Sequence, residues 1–149
     1  MALNEQEAVY DSQSKVFPFW GQTFYSIHEI ASYLTKLMDT EWFFAQFGPT
    51  PQVALKEWKD RNRWAGCADA KTFTIYLKKG NQAESTILHE LAHLLCGSGD
   101  HGQCFVDTQL ILIRQQMGFH AYSEYRNALL ETGVFTPTVR PLPKEQNHG

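Results

Sequence analysis

Residues 89–93 read HELAH, with two histidines four positions apart and a glutamate directly after the first. Side chains four apart share one face of an α-helix, with Cβ atoms roughly 5–6 Å apart. Two imidazole nitrogens at that separation can converge on one zinc ion at about 2.0–2.1 Å each. His89 and His93 are therefore predicted to be Zn²⁺ ligands.

Glu90 is predicted to have a different role. It points about 100° around the helix from His89, so it can flank the metal without binding it. A carboxylate in this position can accept a proton from water that the metal activates. We expect Glu90 to be the general base of a hydrolase.

A catalytic zinc usually has three protein ligands and keeps one position for water. The third ligand could be Asp100, His101 or Asp107. The glycine-bearing turn CGSGD lets the chain double back and present His101 to the metal, whereas Asp100 has the spacing of a helix N-cap. His101 is the predicted third ligand. The remaining histidines, which are not predicted ligands, are His28, His120 and His148.

The three cysteines predict free thiols in a reducing environment. Cys67, Cys96 and Cys104 are an odd number and lack the spacing of a disulfide framework. Cys96 and Cys104 bracket the ligand set, but a mixed Cys/His structural site would not need Glu90. The N-terminus has no export signal, and no window approaches 18 uncharged apolar residues. We therefore expect a cytoplasmic protein without a membrane partner.

Composition predicts a folded protein of one domain. The chain has 149 residues, 43% of them hydrophobic, and a net charge of −3. That charge does not favour nucleic acid as the main partner. A local basic patch or a solvated strand face could come from Lys56, Lys59, Arg61 and Arg63.

Periodicity predicts an α+β fold over residues 1–149, with N-terminal helices, a small three-strand antiparallel sheet over residues 52–78, and C-terminal helices. The helix that carries HELAH is expected over residues 82–96, with Asn81 as its N-cap and Gly97 at its end. Asp100 is expected to cap the next helix. The tail, residues 134–149, is rich in proline and is expected to be flexible.

Two segments also resemble a known group of enzymes. TILHELAHLL followed by HGQCF is similar to the SprT-like and minigluzincin zinc peptidases, which have HExxH, a turn and then HGxxF. A closer similarity is to a family of small metallohydrolases from actinobacteria and their phages, with VLHELAHHL and HGPEF. Gly102 and Phe105 match that second segment, whereas Gln103 and Cys104 depart from it.

The resemblance implies a zincin-like domain with zinc bound by His89, His93 and His101, and with Glu90 as general base. It implies a protein or peptide substrate, which pairs with an edge strand in the region RWAGCADAKTFTIYL. For a phage-encoded protein, it implies action in the host cytoplasm.

Two other functions remain open: a YbeY-like metal-dependent RNA endonuclease, suggested by GSGDH, and a non-catalytic module with a structural zinc. A structural site would have no use for Glu90. Candidates of equal weight for stabilising an oxyanion are Arg114, Tyr122, Tyr125 and Arg126.

Overall fold

The structure, a computed structural model, describes residues 3–58 and 66–135 and has the predicted mixed α+β composition. Its helices are α1 (Glu5–Val16), α2 (Ile27–Met38), α3 (Glu41–Phe47), α4 (Glu84–Cys96), α5 (Gln103–Met117) and α6 (Phe119–Glu131). Its strands are β1 (Thr23–Phe24), β2 (Ala54–Trp58), β3 (Gly66–Asp69), β4 (Thr74–Lys78) and β5 (Gln82–Ala83). Predictions for Lys59, Arg61, Arg63, His148 and most of the tail lie outside the described residues.

The chain forms two compact units. The first, here the helical unit, contains Met1–Trp20 and Asp100–Gly149, and the second, the mixed unit, contains Gly21–Gly99. The helical unit includes α1, α5 and α6, and the mixed unit includes the other helices and all the described strands. The organisation as one domain stays a prediction.

The helical unit begins with a well-capped helix. Asn4 accepts a hydrogen bond from the Glu7 backbone N–H at 2.8 Å, and the Glu7 carboxylate accepts one from the Asn4 N–H at 3.0 Å. This reciprocal pair satisfies two backbone donors that a helix start leaves unpaired. In the core of the unit, the buried Tyr125 hydroxyl donates to Gln109 at 2.5 Å, and Gln109 donates to Gln13 at 2.7 Å.

The three-strand sheet of the mixed unit differs from the prediction in one pairing. Its strand order is β2-β4-β3, and β2 runs parallel to β4, whereas β3 runs antiparallel to it. The prediction of a wholly antiparallel sheet is therefore wrong. Strand β4 occupies the centre of the sheet, and its alternate residues Ile75 and Leu77 are buried. The two flanking strands, β2 and β3, are more exposed.

The start of α4 also differs from the prediction. Gln82 and Ala83 form β5, which pairs with β1, and the helix begins at Glu84 with Ala83 at the N-cap position and no side-chain cap. The Glu84 backbone N–H donates to the Gln22 carbonyl at 2.8 Å, and the Glu84 carboxylate accepts from the Gln22 N–H at 3.1 Å. Asn81 is therefore not the cap, because a distant segment takes its place.

The end of α4 is as predicted, and the start of α2 has a side-chain cap. Gly97 ends α4 in the left-handed conformation with φ 70°, where a Cβ atom would be strained. Ser26 caps α2 by accepting from the Glu29 N–H at 3.1 Å. The Glu29 carboxylate accepts from the Tyr25 N–H instead of completing a capping box.

The cysteines correct one expectation. Cys96 and Cys104 are disulfide-bonded, whereas Cys67 is free and exposed. The prediction of three free thiols is therefore wrong. The two bonded cysteines are separated in sequence only by the end of α4 and a short turn. Because disulfides persist mainly in oxidising compartments, the cytoplasmic location loses its cysteine argument and stays a prediction.

No helix within residues 3–58 and 66–135 combines the length and the apolar character that crossing a membrane requires.

Candidate metal centre

Helix α4 places three ionisable side chains in a buried setting. His89 is 4% exposed, Glu90 6% and His93 7%. Their apolar neighbours on the helix are fully buried and include Ile87, Leu88, Leu91 and Ala92. Burying polar groups costs free energy unless a partner satisfies them. The histidines of this helix must therefore be satisfied by neighbouring polar groups or by a metal ion.

His93 has one ring nitrogen already engaged. Its Nδ1 lies 3.0 Å from the carbonyl oxygen of Ser98. A carbonyl only accepts hydrogen bonds, so this contact assigns the proton to Nδ1 and the lone pair to Nε2. Metal-binding histidines almost always donate their other nitrogen in this way. His93 is thus held in the tautomer that can bind a metal through Nε2.

His101 belongs to the helical unit, directly before Gly102, the N-cap residue of α5. Asp100 accepts a hydrogen bond from the Gly102 N–H at 3.0 Å. Asp100 therefore orders the turn, but the prediction that it is the N-cap residue is wrong. His101 is 9% exposed, and its ring packs against the rings of Tyr10 and Phe105.

The structure brings the three predicted ligands together. One imidazole nitrogen from each of His89, His93 and His101 lies within 4.8 Å of the other two. Two nitrogens bound to one zinc ion in tetrahedral geometry lie about 3.4 Å apart, so the three imidazoles must draw closer together to hold an ion. The donor chemistry also fits, because neutral imidazole suits zinc and other first-row transition metals. These residues could hold a metal ion.

Glu90 directly follows His89 in α4 but does not belong to this set. Burial raises the pKa of its carboxyl from 4.5 to about 7. Its side chain faces β3, where Gly66 has no side chain to obstruct it. A carboxyl group with a pKa near neutrality can both accept and release a proton at physiological pH.

Strand β3 supplies the surroundings of Glu90. Cys67, next to Gly66, is exposed, and the pKa of its thiol is raised by burial of the sulfur, by Glu90 and by Asp69. Electrostatic coupling with Glu90 indicates that the thiol and the carboxyl are neighbours. The order of strands leaves the other edge of β3 without a partner strand among the described residues.

The residues considered for an oxyanion all lie in the helical unit. Tyr125 is fully buried and its hydroxyl donates to Gln109, so it is committed within the core. The Arg114 guanidinium lies over the rings of Phe119 and Tyr122 at 5.8 and 5.7 Å. A role for any of them in stabilising an oxyanion stays a prediction.

Sequence reasoning missed Gly66, Ser98 and Tyr10. Ser98 acts through its backbone carbonyl, which no side-chain pattern can reveal. Gly66 lay in the segment RWAGCADAKTFTIYL, in which an edge strand was expected, and the approach of Tyr10 depends on packing between helices that are distant in sequence. His28 and His120, which were not predicted ligands, are exposed.

The chain matches no protein-family model, no curated protein and no solved structure. The similarity to the SprT-like peptidases and to the small metallohydrolases therefore stays a prediction from two short segments.

Proposed function

We propose that this protein is a zinc-dependent hydrolase that acts on peptides, with Glu90 as its general base. The proposal rests mainly on Glu90, whose buried carboxyl directly follows His89 in α4. Its oxygens are not part of the group formed by the three imidazole nitrogens. A metal that only held the fold together would have no use for this carboxyl. A bound zinc ion supplies Lewis acidity, which polarises a carbonyl group and makes water easier to deprotonate.

Glu90 moves the proton in this proposal. Its carboxylate takes a proton from the attacking water as the new C–O bond forms, and returns it to the nitrogen as the C–N bond breaks. The pKa of about 7 suits both steps, because proton transfer is most efficient when the pKa of the catalytic group is near the working pH.

The proposed substrate class rests on β3. This strand pairs with β4 on one side and lies next to Glu90 through Gly66. An unpaired strand edge can bind an extended peptide through backbone hydrogen bonds. A peptide bound there would have a backbone carbonyl close to the Glu90 carboxyl. We therefore favour a peptide over other carbonyl-containing substrates.

The test is metal analysis together with a cleavage screen. The zinc-loaded protein is incubated with fluorescent casein, a mixed-sequence peptide library and a structured RNA, and the products are identified by mass spectrometry. We expect about one zinc per chain and cleavage of peptides. Glu90→Gln should keep the zinc and lose about 10²–10⁴ in rate. Glu57→Gln, an exposed carboxyl on β2, is the matched control and should cut as fast as wild type.

Three outcomes would contradict the proposal. Cleavage of RNA alone would favour the endonuclease alternative. An unchanged rate in Glu90→Gln would remove Glu90 as the base. Absence of cleavage, combined with unfolding when zinc is removed, would favour a structural metal.

A further inference from the structure

The ring of His101 contacts two other aromatic rings of the helical unit. The Phe105 ring lies one helical turn further on, with its centroid 4.9 Å away and its plane at 72°. The Tyr10 ring, from α1, has its centroid 5.3 Å away and its plane at 58°. Both separations are within the 4.5–7 Å range of attractive aromatic pairs.

The two neighbours differ in how deeply they are embedded. Phe105 is completely buried, so it is part of the core as well as a contact of His101. Tyr10 is 39% exposed, so the core does not require an aromatic ring there. Packing in the core therefore does not account for the contact between the Tyr10 ring and the His101 imidazole.

The helix that carries Tyr10 is fixed on both sides of it. Asn4 and Glu7 cap its start, and Gln13, three residues after Tyr10, accepts a hydrogen bond from Gln109 of α5. Because this hydrogen bond joins α1 to α5, it fixes the position of the Tyr10 ring relative to the His101 ring.

We infer that Tyr10 is a positioning residue for the metal centre, whose ring fixes the plane of the His101 imidazole. Residues that orient a metal ligand typically change metal affinity 10–100-fold when they are replaced. The contact on which the inference stands is a contact between two rings, so we expect an effect at the lower end of that range. The inference rests on the metal site proposed above, but not on the reaction.

The test compares Tyr10→Ala with Tyr10→Phe, which keeps the ring and loses the hydroxyl. Zinc affinity is measured by competition with a chromophoric chelator, and the visible spectrum of the cobalt-loaded protein reports ligand geometry. We expect Tyr10→Ala to weaken zinc binding roughly 10-fold and to alter the cobalt spectrum. Tyr10→Phe should match wild type in both measurements.

The controls separate positioning from folding. Tyr25→Ala replaces a tyrosine that is 68% exposed in the mixed unit, and it should bind zinc like wild type. Thermal unfolding of the metal-free variants measures any loss of fold, and Tyr10→Ala should lose affinity beyond what that loss explains.

The inference would be overturned if Tyr10→Ala bound zinc as tightly as wild type, or if Tyr10→Phe were as weak as Tyr10→Ala. A wild-type protein that binds no zinc would overturn the metal site itself. A protein that binds zinc, responds to Tyr10→Ala and cuts nothing would leave this inference standing while the proposed hydrolase failed.

Discussion

Gly66 on β3 and Glu90 on α4 are in such close contact that a Cβ atom at Gly66 would lie 3.2 Å from the Glu90 Cγ and 3.3 Å from its Oε2. These separations are tighter than ordinary van der Waals contact. The absence of a side chain at residue 66 is therefore what lets the Glu90 carboxyl occupy its present position.

Gly66→Ala should consequently lower turnover more than it lowers metal binding. The new methyl group must displace the Glu90 side chain by a few tenths of an ångström, because the strand and the helix are both packed against each other. Since a misplacement of 1 Å can cost 10²-fold in rate, we expect a loss of roughly 10-fold. The measurement is the initial rate of peptide cleavage beside the zinc content of the same sample.

Gly99→Ala is the matched control, because a Cβ atom there would meet nothing within 4 Å. It should leave both rate and zinc content unchanged. Equal rates for Gly66→Ala and wild type would mean that the position of Glu90 does not limit the reaction.

His101→Ala should remove most of the zinc affinity. Loss of a direct ligand must cost more than loss of an orienting residue, so we expect a decrease of at least about 100-fold. Calorimetric titration of the metal-free protein measures it. His120→Ala, which removes an exposed histidine, should titrate like wild type. Unchanged zinc binding in His101→Ala would exclude this residue from the ligand set.

Zinc should also stabilise the folded protein. A metal that binds only the folded state adds about 2.7 kcal/mol at a free concentration 100 times the dissociation constant. Denaturant unfolding with zinc and with excess chelator should show that difference in the wild type. In His101→Ala the two curves should nearly coincide at the same zinc concentration. If zinc did not change the free energy of unfolding of the wild type, this result would argue against zinc binding by the buried histidines.

Tyr125 predicts a pH effect in the core of the helical unit. Burial raises the pKa of its hydroxyl well above 10, while the hydrogen bond to Gln109 opposes this and Tyr10 adds to it. A raised pKa means that the folded state keeps a proton that the unfolded state releases. Its contribution to stability is therefore complete below about pH 10 and is lost as the pH rises further.

Tyr125→Phe should therefore be less sensitive to alkaline pH than wild type. At pH 7 the variant should be less stable by about 1–3 kcal/mol, because Gln109 loses its donor. Urea unfolding between pH 7 and pH 11.5 measures both effects. Tyr25→Phe, a change on the surface, should follow the wild-type curve. A parallel decline in Tyr125→Phe and wild type would show that another group causes the alkaline loss.

Features set by neighbours in sequence were predictable. The pairing of His89 with His93 follows from the helical period, and Gly97 and Ser26 act on backbone groups within a few residues.

Features set by distant segments were not predictable. The parallel pairing of β2 with β4 depends on which strand takes the centre of the sheet. The approach of Tyr10 to His101 depends on helix packing across much of the chain. Free thiols were predicted for Cys96 and Cys104 from the odd number of cysteines in the chain. The two residues are instead disulfide-bonded, which depends on their positions in the folded protein.

The reciprocal hydrogen bonds between Gln22 and Glu84 join residues that are 62 positions apart. The first turn of the helix that carries His89 is thus completed by a segment that closes a long loop, and closing such a loop is slow compared with forming a local helix. An isolated peptide of residues 79–105 would contain all three histidines and still lack that partner. We expect the metal site to be assembled late in folding, after residues 21–24 have docked beside the start of the helix.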